Sequence, residues 1–164
     1  LFRPDFLKVY PVAPNSEPTT LCIPHVADVE TTKSFVSRCK QEKVTVHAGF
    51  CAVVEAAAVK LMKERGLTSQ KSFNISSIHS VNARSYYKSK EIEVGYGIQH
   101  HHMLNQVPSE ISSNFWSYAK NFHQRFREDT NNKLSAQECA IKELANVSGR
   151  YVYGHQDFFN KMKS

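Results

Sequence analysis

The chain has 164 residues, Lys plus Arg at 21 against Asp plus Glu at 15, and a formal net charge of +6. Hydrophobic residues make up 41% and charged residues 22%, which excludes a disordered chain, and six glycines with six prolines exclude a collagen-like one. This length supports one core without staples, and the modest basic excess fits nucleic acid, an anionic cofactor or an acidic partner without selecting among them.

Residues 1–18 hold Pro4, Pro11, Pro14 and Pro18 and are expected to form an extended lead-in. Thr19 to Val26 is rich in β-formers and suggests a short strand. Asp28 to Gln41 carries Val29, Phe35, Val36 and Cys39 near the helical period, with Asp28 or Thr31 as the cap, and predicts a surface helix with one buried stripe. Thr45 is a good N-cap for the helix Val46 to Arg65. That helix has five alanines among Phe50, Val53, Val54, Leu61 and Met62. Being apolar most of the way round, it is expected to be central and buried, with Gly66 ending it. The stretch from Val44 to Met62 also contains Thr45, His47, Glu55 and Lys60, too polar for a membrane span.

Ser72 to Ala83 predicts a strand through Phe73, Ile75, Ile78 and Val81, with a slip of one residue in the middle that suggests a bulge. Ser85 to Glu91 is a basic surface loop, and Val94 to Leu104 a second strand with Gly95 and Gly97 near its start. Asn105 to Ser113 is expected to be a loop. A helix capped by Ser113 or Asn114 then runs to about Asp129, with Phe115, Trp116, Ala119, Phe122, His123 and Phe126 on one stripe. Ser135 is expected to cap a last helix, Ala136 to Asn146, and Arg150 to Ser164 is aromatic and basic. The order predicts an α/β chain of the α+β two-layer kind, a mixed sheet with helices packed on it.

The four cysteines, Cys22, Cys39, Cys51 and Cys139, stand at least twelve residues apart. No C-x-x-C pair points to zinc or redox chemistry, and buried free thiols in a reducing, cytoplasmic compartment are the expectation. Two disulfides in a secreted protein are the alternative; the sequence also holds two glycosylation sequons, Asn74-Ile-Ser76 and Asn146-Val-Ser148, a triplet that arises often by chance. His100, His101 and His102 stand together. In a strand, His100 and His102 share one face and His101 takes the other. Two imidazoles lack a third local ligand for a metal, so they are expected to face a channel or interface. The aromatic and cationic group Tyr86, Tyr87, Lys88 and Lys90 is what any basic loop carries, and nucleic acid is not the expected partner.

Four landmarks together carry a resemblance. Thr45-Val46-His47-Ala48 opens an alanine-rich helix after a basic one. Ser80-Val81-Asn82-Ala83-Arg84 looks like a V-[DN]-x-R strand end. Val94-Gly95-Tyr96-Gly97 looks like the next strand start, and Ser113-Asn114-Phe115-Trp116-Ser117-Tyr118-Ala119 looks like the helix after it. Over about residues 18 to 146 the chain resembles the C-terminal half of the chloramphenicol acetyltransferase-like superfamily, which includes condensation domains and alcohol acetyltransferases. The resemblance implies a half-domain over 19–164 whose N-terminal partner half, on the same protein or an equivalent chain, carries the catalytic H-H-x-x-x-D. The parent reaction would move an acyl group from a CoA or carrier thioester to a hydroxyl or amine, with acyl-CoA or acyl-carrier as substrate and no covalently held cofactor. It implies that Arg84 supports the catalytic Asp of the missing half, and that His100, His102 and Asn82 line the channel. This chain alone is expected to be inactive. The run from His100 to Asn105 reads H-H-x-x-x-N but lies among second-half landmarks, and a neutral Asn105 cannot form an Asp–Arg pair. The alternative is a binding or scaffold module that kept the fold without the chemistry.

Overall fold

The structure, a computed structural model, describes residues 9–10, 22–86 and 98–147. Its helices and strands run in the order α1 (Val29–Gln41), α2 (Val46–Glu64), β1 (Ser72–Asn82), β2 (Ile98–Pro108), α3 (Phe115–Asn131) and α4 (Leu134–Val147), with short 3-10 turns at Arg84–Tyr86 and Ile111–Asn114. The protein is therefore a mixed α and β chain, as composition and patterning predict. The sheet among the described residues is the antiparallel pair β1–β2. The lead-in up to residue 8, the glycine pair Gly95 and Gly97, and the stretch from 148 onward lie outside the described residues.

These residues divide into two compact units. One is drawn from positions up to Ser77 together with Met103–Glu128, the other from Ile78–His102 and positions from Asp129 onward. Within the first unit, Val59 and Met62 of α2 bury against Phe73, Val107 and Ile111, with Val9, Leu67 and Tyr118 packed around them. A second small cluster joins Ala48, Met103 and Phe122, with Cys51 and Phe126 at its edge.

The helix ends follow from local chemistry. Asp28 caps α1 by accepting the Thr31 N–H at 2.7 Å, and Thr45 caps α2 by accepting the Ala48 N–H. Both helices close with the same paired bonds. Val44 N–H donates to the Cys39 carbonyl and Lys43 N–H to that of Lys40. After α2, Leu67 N–H reaches Met62 and Gly66 N–H reaches Lys63. This closure needs a left-handed residue, which α2 supplies with Gly66 at φ 97° and α1 with Lys43 at φ 59°. Only the first of these is announced by residue type. Gly49, inside an alanine-rich helix, has a packing cause: a Cβ there would lie 2.7 Å from Cys39 Sγ and 3.1 Å from Phe35 Cζ, where α1 meets α2.

Several expectations need correction. Residues 22–28 form no strand. Helix α2 is not buried all round. Ala48, Ala52, Glu55, Val59 and Met62 face inward, whereas Val46, Phe50, Val53, Val54 and Leu61 are 41–60% exposed. Apolarity records what a helix can bury, and neighbours decide what it does bury. Strand β1 shows no slip: Phe73, His79 and Val81 are buried on one parity, and Ile78 simply faces out. The second strand continues to Pro108, so Asn105 to Val107 lie in the sheet and not in a loop. Ser135 does not cap α4, which starts one residue earlier; its buried hydroxyl lies 3.2 Å from Gln99 Oε1.

Candidate functional site

In the unit that contains the end of β1, Asn82 is the last strand residue and Arg84 opens the 3-10 turn that follows. Both side chains are exposed. Asn82 Oδ1 accepts the Arg84 backbone N–H at 3.1 Å and approaches Arg84 Nη1 at 3.4 Å. Asparagine binding the backbone two residues ahead is a turn-forming bond, and here the same oxygen also accepts from one terminal nitrogen of the guanidinium. Among the described residues no carboxylate pairs with Arg84. The turn is anchored behind it by Tyr86, whose hydroxyl donates to the Thr130 carbonyl at 2.9 Å and whose ring lies 5.8 Å from Lys133 Nζ.

The histidine run lies on β2, in the same unit, and alternates as a strand must. His100 is exposed, His101 is buried and His102 is half-buried. His101 is held between acids. Its Nε2 lies 3.0 Å from Asp129 Oδ2 and its Nδ1 lies 3.7 Å from Glu138 Oε1, while Glu138 Oε2 accepts the His102 backbone N–H. An imidazole clamped on both edges and 4% exposed is a poor general base, because no substrate proton can reach it. Of the other two histidines, His100 is exposed and His102 half-buried.

The other unit holds a polar cluster that sequence reasoning missed. Glu55 is 3% exposed on the inward face of α2. Asn105 Nδ2 donates to Glu55 Oε1 at 2.6 Å, the Tyr118 hydroxyl donates to Oε2 at 2.5 Å, and Asn105 also approaches the Ser77 hydroxyl at 3.3 Å. Arg125 closes the chain, donating to Asn105 Oδ1 and to the Leu104 carbonyl, both at 3.2 Å. Neutral Asn105 thus does meet an arginine, from α3, through its amide oxygen. Burial raises the Glu55 pKa above the usual carboxylate range, against the lowering effect of its hydrogen bonds and of Arg125. Tyr118 is raised too, by burial and then by the Glu55 bond. The available signal was a single acid on the inward face of an alanine-rich helix, since such a group must find donors.

One and two turns toward the N-terminus of α2 stand Cys51 and His47. Cys51 Sγ lies 3.6 Å from His47 Nε2, and the His47 ring lies 5.0 Å from that of Phe126. Burial and then the Glu55 charge push the Cys51 thiol up to about 11, so near neutral pH it is a thiol and not a nucleophilic thiolate. Burial also lowers the His47 pKa. His123 takes a different partner, with Nδ1 3.4 Å from Thr45 Oγ1. All four cysteines are free.

A cleft of about 370 Å³ opens between α2 and the turn after β2, with Ala57, Lys60, Lys63, Ser109 and Ser112 on its walls. Lys63 is bound to Glu110 at 3.0 Å and Lys60 lies 3.9 Å from Glu64, so the two cations are offset by two acids. No helix among the described residues is by itself long and apolar enough to cross a membrane. No protein-family model, no curated protein and no solved structure matches this chain.

Proposed function

We propose that this chain is the C-terminal half-domain of an acyltransferase of the condensation and alcohol acetyltransferase kind. It would act with a second half that carries the catalytic histidine. The observation that carries this reading is the Asn82–Arg84 corner. The V-[DN]-x-R sequence runs from the last two residues of β1 into the turn that Arg84 opens, and the guanidinium emerges exposed from a turn that its own asparagine stiffens. Supporting it, Thr45 caps the alanine-rich helix, and the Phe115-Trp116 pair opens the helix after β2.

The chemistry assigned to this chain is support. An exposed, pre-held Arg84 suits a bidentate pair with a carboxylate of the other half. Such a pair would orient the segment bearing the general base, so Arg84 is a positioning residue and not a catalytic one. His100 and His102 would present imidazole edges to the channel, and the acyl donor would be a CoA or carrier thioester.

The test is purification from the native source with thioester-dependent acyl transfer as readout. The expected preparation is a polypeptide or complex large enough to hold two such halves, and active. Arg84→Ala should lower kcat/KM by about a hundredfold, the scale of a misplaced catalytic group, with Arg84→Lys between the two. An isolated 164-residue chain that turns over acyl-CoA, or a complete protein indifferent to Arg84→Ala, would contradict the assignment.

A further inference from the structure

Helix α2 presents an apolar face that no element of the described fold covers. Val46, Phe50, Val53, Val54, Ala57 and Leu61 are all exposed. At 100° per residue, these six fall within about 100° of arc and run about 22 Å along the helix axis. An isolated surface valine is ordinary, but a continuous stripe of this width is the pattern of a helix that meets another helix.

The stripe complements itself. Two copies laid antiparallel about a two-fold axis, with Val53 opposite Val54 of the second copy, set Phe50 against Ala57 and Val46 against Leu61. The largest side chain then faces the smallest, as close packing requires. The same register brings the C-terminal end of each α2 beside the other copy's turn into α2. Glu64 is exposed at that end, and Lys43 is exposed in that turn. A parallel pairing would instead set Lys43 near Lys43 and Glu64 near Glu64. Antiparallel helices also place opposite dipole ends together.

We propose that this protein forms a symmetric homodimer through the exposed face of α2, antiparallel, with Phe50 seated over Ala57 of the second copy and Lys43 paired with its Glu64. The same patch serves both subunits, as a two-fold interface demands. This goes beyond the acyl-transfer reading and does not depend on it.

Sedimentation equilibrium of the full 164-residue chain over a range of concentrations tests the proposal. The expected species is about 37 kDa, twice the 18.7 kDa of one chain. Phe50→Glu should weaken the dimer about a hundredfold or more, as loss of a central aromatic anchor does. Val29→Glu, at an exposed site on α1, should leave it unchanged, and circular dichroism should show both variants folded. Lys43→Glu and Glu64→Lys should each weaken it about two- to fivefold, and the double variant should recover most of that loss, because the pair is restored. A chain that stays monomeric at every concentration overturns the proposal, also where it instead sediments with anionic phospholipid vesicles. So does a dimer indifferent to Phe50→Glu. Failure of the double charge variant to recover overturns the antiparallel pairing.

Discussion

Strand β2 buries one polar side chain in each of the two units, and the two are satisfied in opposite ways. Asn105, a neutral amide, donates to the buried carboxylate of Glu55 and accepts from Arg125. His101, an imidazole, lies between the carboxylates of Asp129 and Glu138, whose side chains keep 26% and 19% exposure. In the first cluster the acid is buried and its donors are neutral. In the second the acids reach solvent and the ring is buried. The cost of breaking each should therefore differ, because an orphaned group with access to water recovers hydration and a sealed one does not.

The largest effect is expected at Glu55. Glu55→Ala removes the acceptor of the half-buried Tyr118 hydroxyl, leaves the buried Asn105 amide only its 3.3 Å approach to Ser77, and opens a cavity at a buried position. Urea unfolding should show a loss of about 3 kcal/mol. Glu55→Gln keeps the volume and one acceptor, and should cost about 1 kcal/mol. His101→Leu should cost less than Glu55→Ala, about 1.5 kcal/mol, because Asp129 and Glu138 can turn to water. Equal losses at the two sites would erase the distinction.

The pH dependence sharpens the same contrast. Burial raises the Glu55 carboxyl above its ordinary value of 4.5. The native state then binds this proton more tightly than the unfolded chain. The contribution of Glu55 to stability is therefore greatest below about 4.5 and falls as pH rises through its folded pKa. Glu42 behaves in reverse. The Lys120 ammonium at 2.7 Å and Arg38 at 2.6 Å hold it below 4.5, so its contribution is present above 4.5 and lost as pH falls through the folded value. Unfolding of Glu55→Gln should lose the first slope and keep the second, which titration of the unfolding free energy on both sides of 4.5, from strongly acidic to neutral pH, would read.

The smallest effect concerns reactivity. At pH 8 a thiol titrating at about 11 is about one part in a thousand thiolate, so Cys51 should alkylate far more slowly than exposed Cys22. Mass spectrometry of iodoacetamide-treated native protein should find Cys22 modified first, with buried Cys39 also slow. Early modification of Cys51 would show that it is far more open than the packing beside Ala48 and Phe122 allows.

Local signals were legible because they depend on near neighbours in the chain. Asp28 and Thr45 as caps, Gly66 as a stop, the alternation of the histidine run and the helix beginning near Phe115 are each written within a few residues. What depended on distant partners was not. Lys43 is the local exception, a left-handed turn that its residue type does not announce although the closing bonds to Cys39 and Lys40 span only a few residues. Ser135 left the cap position for Gln99, across 36 residues. The Glu55, Asn105, Tyr118 and Arg125 cluster draws on α2, β2 and α3, and no window of sequence contains it.

The sequence by itself determined the four helices and the cores of the two strands among the described residues, the caps at Asp28 and Thr45, the parity of His100 to His102 and the corner at Asn82 and Arg84. These are set by backbone sterics and by hydrogen bonds spanning two to four residues. Only the tertiary structure decided which face of the alanine-rich helix is covered, which histidine is sealed between acids and which lone carboxylate finds donors. Burial is a property of neighbours, and an apolar pattern or an isolated acid states a need without naming the residue that meets it.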